Sequence, residues 1–216
     1  MLTKYYTVNK SGSTELIIQK SRFIGYIKRV ESEEAAQKFI DDIKKKHYDA
    51  THNCSAYIIG EHDQIQKAND DGEPSGTAGV PMLEVLKKQN LKDTAVVVTR
   101  YFGGIKLGAG GLIRAYGGTT SEAIKATGIV QRQLVQGISV IVDYSFLGKL
   151  ENEIRQSNYI LDKIDYLEHV EFTIYVKKED IQKFHEWIID LTNGQATITN
   201  KEFTYVEIAV SSTKED

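Results

Sequence analysis

The stretch "RYFGGIKLGAGGLIRAYGG", Arg100 to Gly118, holds seven of the 17 glycines in this chain of 216 residues. It follows the apolar run "TAVVV", which predicts a buried strand, and it leads into "TTSEAIKA", which is typical of a helix. Glycine weakens both helices and strands. The cluster therefore indicates a place where another segment of backbone, or a ligand, approaches the main chain too closely for side chains to fit. The order of strand, glycine turn and helix start exposes backbone amides, which is the general geometry for binding phosphate.

The flanking side chains favour a negatively charged partner for this glycine loop, residues 103–111. The Walker and Rossmann glycine patterns are both missing, although Leu107 to Gly111 is somewhat similar to the phosphate loop of the galactokinase/homoserine-kinase superfamily, without its serines. Three cations surround the loop, and two rings precede it. The cations are Arg100, Lys106 and Arg114, and the rings are Tyr101 and Phe102. Cations beside stackable rings are what single-stranded nucleic acid contacts require.

A second loop, "NDDGEPSGTAG" from Asn69 to Gly79, is rich in acidic and turn-forming residues, and we call it the acidic loop. Its carboxylates are Asp70, Asp71 and Glu73. They could bind a hard cation such as magnesium, but their spacing does not match an EF-hand. The alternative is a chain of turns in which Ser75 or Thr77 caps the next helix. We expect neither a metal nor a cofactor.

His52 and Cys54 share one face of a predicted strand, so a nucleophile pair is conceivable if a third group orients the histidine. A lone cysteine in a strand is more often a small buried hydrophobic residue, and that is the interpretation we favour for Cys54.

Composition predicts a soluble cytoplasmic protein. No apolar run is long enough to span a bilayer, the N-terminus has no apolar signal segment, and a single cysteine excludes an internal disulfide. The net charge of −3 combines +4 over residues 1–133 (19 Lys+Arg, 15 Asp+Glu) with −7 over residues 134–216 (8 and 15). This asymmetry favours contact between an anionic partner and the N-terminal part.

Periodicity predicts an α+β protein of two domains, residues 1–133 and 134–216. The second reads strand, helix, strand, strand, helix, strand, the split βαβ or ferredoxin-like order. Its first strand is expected over Gly137–Tyr144, with Ser145 capping the following helix and Asn193-Gly194 ending the next one. The first domain is mixed, with a helix capped by Ser32 and a long helix starting near Gly110 or Gly111.

Four sequence blocks resemble the IMPACT/YigZ family over essentially the whole chain. They are "KSRFIGYI" (20–27), "ATHNCSAYIIG" (50–60), "DDGEPSGTAGVPMLEVL" (70–86) and "TAVVVTRYFGGIKLGAGGLIRAYGG" (94–118). The resemblance implies an N-terminal domain like the second domain of a small-subunit ribosomal protein and like translocase domain IV. It also implies a C-terminal ferredoxin-like domain similar to translocase domain V.

The resemblance also implies a role in translation. Eukaryotic relatives regulate translation initiation during starvation by competing for the activator of an initiation-factor kinase. They carry an additional partner-binding domain before the first shared motif, which begins here near Lys20, so that particular circuit is not expected for this chain. The binding residues expected from the two loops are Arg100, Tyr101, Phe102, Gly103, Gly104, Lys106, Gly108 and Gly110, facing Asp71, Gly72, Glu73, Pro74 and Thr77.

Three functions follow from these patterns. The one we expect is a non-enzymatic protein of the translation system that binds RNA or the ribosome through its N-terminal domain. The second is an enzyme that holds a phosphate ligand or nucleotide between the glycine loop and the acidic loop. The third is a protein-interaction module, with a protein partner in translation control, that uses either the open face of the C-terminal sheet or the acidic surface of that domain. The oligomeric state stays open.

Overall fold

The computed structural model describes residues 1–210, and the last six residues of the expected second domain, 211–216, lie outside the described part. The architecture is α+β in two compact units, as the sequence predicts. One unit comprises Tyr5–Gln131 with the end of the described chain from Ile208, and the other comprises Met1–Lys4 with Arg132–Glu207. Within residues 1–210, no helix is both long and apolar enough to cross a membrane.

The unit centred on Tyr5–Gln131 holds most of the strands and three helices. Its elements are β1 (Lys4–Val8), β2 (Gly12–Ile18), β3 (Ser21–Arg29), α1 (Glu33–Lys46), β4 (His52–Ile59), β5 (Ile65–Asn69), α2 (Gly79–Lys88), β6 (Thr94–Tyr101) and α3 (Gly108–Thr127). Strands β2 to β6 form one sheet in the order β2-β3-β6-β4-β5, with antiparallel pairing throughout.

Helices cover both faces of this sheet, which explains why β6 is buried on both faces and contains four consecutive apolar residues, Ala95 to Val98. On one face, α1 packs Ile40 and Ile43 against a layer that includes Val97. On the other, α2 and α3 pack against the alternate residues Val96 and Val98. The Ser32 cap is confirmed, because its Oγ accepts the Ala35 amide at 3.1 Å and begins α1.

The strand register brings together three residues that are far apart in sequence. Arg100 at the end of β6 lies opposite Phe23 of β3 and opposite His52 of β4. Because successive side chains of a strand point to opposite faces, Arg100 points to the face of α2 and α3 and Tyr101 points to the face of α1. The register therefore separates two neighbours that the sequence placed in one cluster.

The other unit has the predicted ferredoxin-like order. Its elements are β7 (Ile129–Val142), α4 (Leu147–Gln156), β8 (Ile160–Tyr166), β9 (Val170–Lys177), α5 (Ile181–Thr192) and β10 (Thr197–Ala209). Within this unit, β7 pairs with both β9 and β10, and β9 pairs with β8. Helices α4 and α5 contribute Leu150, Ile154, Phe184 and Ile188 to a core built on alternate residues of β7 and β9. Asn193 ends α5 in the left-handed conformation, as predicted.

Several predicted boundaries were wrong. Strand β7 begins at Ile129, eight residues before the predicted start, and α3 begins at Gly108 rather than at Gly110 or Gly111. Ser145 does not cap α4, because it lies inside a 3₁₀ turn, Tyr144–Phe146, and the helix begins after that turn. Local sequence shows where capping residues occur but not which turn the surrounding packing selects.

The start of α2 is held by Asp70, not by the predicted Ser75 or Thr77 side chains. The Asp70 carboxylate accepts the amides of Gly76 (2.8 Å), Ala78 (3.0 Å) and Gly79 (2.8 Å). Burial acts to raise the pKa of this carboxyl, but the three backbone donors outweigh it and hold the pKa below its ordinary range. Asp70 therefore has a structural role in folding the acidic loop back onto the helix.

We expect Asp70→Ala to lower the free energy of unfolding by about 2 kcal/mol, the upper range for losing a helix cap, because three amides lose their acceptor. Asp70→Asn, which keeps one oxygen, should lose about half as much. The pKa of Asp70 is lowered in the folded state, so its contribution is complete above the unfolded pKa of about 4 and disappears as the pH falls through the folded value. Urea unfolding at neutral and acidic pH measures both effects. Equal stability of the wild type and Asp70→Ala at neutral pH would contradict the capping role.

Candidate functional site

A cavity of about 430 Å³ opens where β4 begins, β6 ends and α3 begins. It lies between the acidic loop and the glycine loop, the two segments that the sequence singled out. The residues that line it are Thr51, His52, Glu73, Pro74, Arg100, Phe102, Lys106, Leu107, Gly108, Ala109 and Leu112. Its size lies within the range of pockets that bind small molecules.

The cavity contains a buried ion pair between Arg100 and Glu73. Arg100 Nη1 donates to Glu73 Oε1 at 2.6 Å, and the two side chains are only 6% and 3% exposed. The Tyr116 hydroxyl of α3 donates to the same carboxylate oxygen at 2.8 Å. Through these two short hydrogen bonds, the Glu73 carboxylate connects the acidic loop to β6 and to α3.

The Arg100 guanidinium is only partly matched by acceptors. It lies between the rings of Phe23 and Phe102, with centroids 5.3 and 5.4 Å from its carbon. Besides the bond to Glu73, Nη2 contacts the Ser21 hydroxyl at 3.4 Å. Its Nε–H donor is buried and has no hydrogen-bond partner among residues 1–210. Aromatic faces compensate a cation, but they do not replace an acceptor oxygen.

His52 is held in one tautomer beside this pair. Its Nδ1 lies 2.8 Å from the backbone oxygen of Asp71, and because a carbonyl can only accept, Nδ1 carries the proton. The Nε2 atom then lies 3.8 Å from Glu73 Oε2. The histidine therefore presents Nε2 on the cavity wall and positions the acidic loop through its other nitrogen.

The acidic residues of the loop bind protein donors. Asp71 accepts Lys44 Nζ at 2.6 Å and the Asn53 amide at 2.6 Å. Burial acts to raise the pKa of Asp71, but Lys44 and the Asn53 amide outweigh it and hold the pKa below its usual range. Asp71 and Glu73 thus face different partners. Among residues 1–210, no three His, Cys, Asp or Glu side chains converge as metal ligands would.

Cys54 is a buried hydrophobic residue, as predicted, and is unsuited to act as a nucleophile. It is fully buried, and its thiol donates to the backbone oxygen of Asp70 at 3.0 Å. Burial raises the pKa of Cys54 to about 12, so the reactive thiolate is not populated at neutral pH.

The glycines of the glycine loop serve two different purposes. At Gly103 a side chain would overlap the backbone of Lys20 and Ser21 in the β2–β3 turn, so close packing of main chain requires glycine. Gly104 and Gly108 have φ of +85° and +69°, and a Cβ on either would meet nothing within 4 Å. These two glycines therefore permit left-handed backbone beside open space.

Helix α3 begins at the cavity, and no side chain caps its first backbone amides. It is 20 residues long, and its N-cap position is Leu107. Gly108 and Ala109 of its first turn line the cavity and are exposed. The first amides of a helix have no intrahelical partner and carry the positive end of the helix dipole.

The structure brings together some of the expected binding residues and separates others. Those that line the cavity are Arg100, Phe102, Lys106, Gly108, Glu73 and Pro74. Gly110 is exposed in the first turn of α3, Gly72 lies against His52, and Thr77 donates its hydroxyl to Pro74 O at 2.6 Å. Tyr101 lies on the opposite face of the sheet, where its hydroxyl donates to Asp49 at 3.0 Å and lies 2.9 Å from His47 Nδ1.

Sequence reasoning missed Tyr116 and gave His52 a different role. Tyr116 belongs to the buried stripe of α3, so the helical spacing marks it as core and gives no sign of its contact with Glu73. His52 was considered only as a partner for Cys54. The pairing of His52 with Arg100 on adjacent strands is what assigns it to the cavity.

The fold and the cavity define a two-domain α+β protein whose N-terminal unit carries a cavity between an acidic loop and a glycine-rich helix start. Two family models match the chain: the Impact N-terminal domain over residues 19–124, and DUF1949, a domain of unknown function, over residues 140–195. The chain belongs to the IMPACT family, because its similarity to other members extends over its whole length.

Two relatives and one solved structure give the extent of this similarity. The chain is 59% identical over 215 residues to the IMPACT family member YvyE of Bacillus subtilis (strain 168), covering 100% of this chain and 99% of the relative. It is 33% identical over 179 residues to the IMPACT family member YigZ of Escherichia coli (strain K12), covering 82% and 88%. A crystal structure of "an hypothetical protein" matches with a TM-score of 0.60 and 29% identity, covering 94% of this chain and 99% of that one.

Loss of Arg100 should destabilise the protein strongly. Arg100→Ala leaves the Glu73 carboxylate buried without its cation, so we expect a loss of about 3–5 kcal/mol in the free energy of unfolding. Arg100→Met combined with Glu73→Gln removes both charges and keeps an acceptor for Tyr116, so it should recover at least about half of that loss. The exposed Arg22, paired with Glu15, is the control: Arg22→Ala should cost less than about 1 kcal/mol. Equal effects of Arg22→Ala and Arg100→Ala in urea unfolding would contradict the buried pair.

Gly103→Ala should destabilise the protein by about 1–3 kcal/mol, because the added methyl group meets backbone that cannot rotate away. Gly110→Ala is the matched control, since the nearest neighbour of its Cβ would be the flexible Arg114 side chain at 3.6 Å. Because Gly110 lies in α3, that change should leave stability unchanged or raise it by up to about 1 kcal/mol. Thermal unfolding of both variants measures the difference, and the reverse order of stability would show that Gly103 is not closely packed.

Proposed function

We propose that this chain is a translation-associated regulatory protein that binds RNA, free or on the ribosome, through its N-terminal unit. Membership of the IMPACT family supports the link with translation, because the resemblance described above connects its eukaryotic members with the control of initiation. The observation that carries the RNA-binding part is the cavity, where the bare start of α3 and Lys106 lie beside the exposed ring of Phe102.

The charge of the cavity favours an anion. Arg100 and Lys106 are the cations on its wall, and Glu73 is the one carboxylate among its lining residues. Because Glu73 is bonded to Arg100 at 2.6 Å, the wall keeps a surplus positive charge at Lys106, to which the helix start adds its dipole. Lys106 is exposed and makes no ion pair within residues 1–210, so a phosphate can approach it without displacing a protein partner.

The ring of Phe102 gives this surface a site for a base. Phe102 is 46% exposed, although a buried position is the usual place for its side chain. The Arg100 guanidinium lies 5.4 Å from the centroid of its ring, and its backbone amide donates to Thr51 Oγ1 at 3.1 Å, which fixes the main chain that carries the ring. A fixed ring beside a cation is the arrangement that stacks a base of single-stranded nucleic acid. Tyr101 does not take part from its side of the sheet.

The test is binding of a short single-stranded RNA by fluorescence anisotropy at increasing salt. The affinity should fall steeply with salt, and Lys106→Ala should lower the magnitude of the salt slope by about 0.7, the contribution of one phosphate contact on a single strand. Phe102→Ala should weaken binding by about 5- to 100-fold, which corresponds to the loss of one stacked base. Arg100 is a poor target here, because its loss breaks the buried pair.

The matched control is Lys88→Ala. Lys88 is an exposed lysine in the last turn of α2, at the opposite end of that helix from the acidic loop. Removing it changes the net charge by the same amount as Lys106→Ala but leaves the cavity intact. Affinity that is independent of salt, or that falls equally in the Lys88 and Lys106 variants, would contradict RNA binding at the cavity.

A further inference from the structure

The cavity differs from an open groove in having a buried inner end and an exposed rim. Arg100 and Glu73 are both buried and form the inner end. Phe102, Lys106 and Ala109 are exposed and form the rim. An RNA strand can lie across such a rim, and a terminal group can reach further toward the inner end than a phosphate within the strand.

We propose that the cavity binds a phosphomonoester, the terminal phosphate of an RNA chain or of a free mononucleotide, in preference to an internal phosphodiester. For the RNA end, this rests on the proposed function. For the free mononucleotide, it does not. The two share one chemistry: a phosphate with three free oxygens attached to a nucleoside.

The start of α3 supplies donors suited to such a group. Gly108 and Ala109, the first two residues of α3, are exposed and line the cavity, and no side chain caps the helix. Gly108 has φ of +69° and its Cβ position faces open space, so the backbone can approach a phosphate closely. Phosphate oxygens at the start of a helix accept these amides and interact favourably with the helix dipole.

Arg100 is the second, independent observation that points to a ligand. It is a cation at the inner end of the cavity whose guanidinium offers five N–H donors. The protein provides acceptors at Glu73 and Ser21, and Nε–H has no partner within residues 1–210. Glu73 balances the charge of Arg100, but the guanidinium retains an unmatched buried N–H donor, which is costly to leave without an acceptor.

Charge and size both favour a monoester over a diester. A phosphomonoester carries a charge of about −1.5 to −2 at neutral pH and three acceptor oxygens, whereas an internal phosphodiester carries a single charge. Lys106 at the rim supplies a positive charge that makes no ion pair within residues 1–210, and the start of α3 adds the positive end of its dipole. The volume of about 430 Å³ accommodates a phosphate together with part of the nucleoside, whose base can stack on Phe102.

The decisive variant is Ala109→Glu. Ala109 is exposed at the second residue of α3, where a carboxylate interacts favourably with the helix dipole. The variant should therefore be at least as stable as the wild type in thermal unfolding. It should nevertheless lose phosphate binding, because the added charge lies at the rim. Ala109→Gln, of the same shape but neutral, should retain most of the binding, and Lys88→Ala should retain all of it.

The experiment compares one short single-stranded RNA with a 5′-phosphate and with a 5′-hydroxyl, labelled at the 3′ end. The phosphorylated RNA should bind about tenfold more tightly, the gain expected from additional charge-assisted hydrogen bonds. The ratio should fall to near one in Ala109→Glu and in Lys106→Ala. Adenosine monophosphate should compete with the phosphorylated RNA and raise the unfolding temperature of the wild type but not of Ala109→Glu.

The outcomes separate this inference from the proposed function. Equal binding of the two RNAs would overturn the phosphomonoester site and leave RNA binding in place. Binding of adenosine monophosphate with no binding of either RNA would support the site and overturn the proposed function. Absence of binding by both RNAs and by the mononucleotide would overturn both. A preference that persists unchanged in Ala109→Glu would place the phosphate elsewhere and overturn the assignment to this cavity.

Discussion

The ion pair between Arg100 and Glu73 is the constraint on which the rest of the site depends. It joins the end of β6 to the acidic loop, and the Tyr116 hydroxyl adds α3 to the same carboxylate. A charge removed from water is tolerated only when its partners are close and correctly placed, so each partner limits the positions of the others.

This constraint also explains how the cavity can favour anions while containing a carboxylate. Glu73 is satisfied by Arg100 and Tyr116, which leaves Lys106 and the amides at the start of α3 without protein acceptors on the cavity wall. The Arg100 guanidinium in turn lies 5.4 Å from the centroid of the Phe102 ring. Structural and binding requirements therefore meet in the same residues, and a change that weakens the pair is expected to disturb both.

Element order was largely predictable from sequence, and the contacts within the site were not. The alternation of β9, the apolar stripe of α5 and the Ser32 cap are local patterns, because each depends on residues within one or two turns of the chain. The capping of α2 by Asp70, across up to nine residues, depends on how the acidic loop folds. The loop's glycines showed that bare backbone was needed, but not that Gly103 serves packing while Gly108 faces open space.

The sequence by itself determined the two-domain α+β architecture, the family, and the two loops that border the cavity, because composition, periodicity and motif are properties of short segments. The tertiary structure alone decided which residues of those loops meet. Strand register aligned Phe23, Arg100 and His52 on one face and sent Tyr101 to the other, although Tyr101 is the immediate neighbour of Arg100. The physical reason is that side chains alternate along a strand, and pairing between distant strands sets which of them become neighbours.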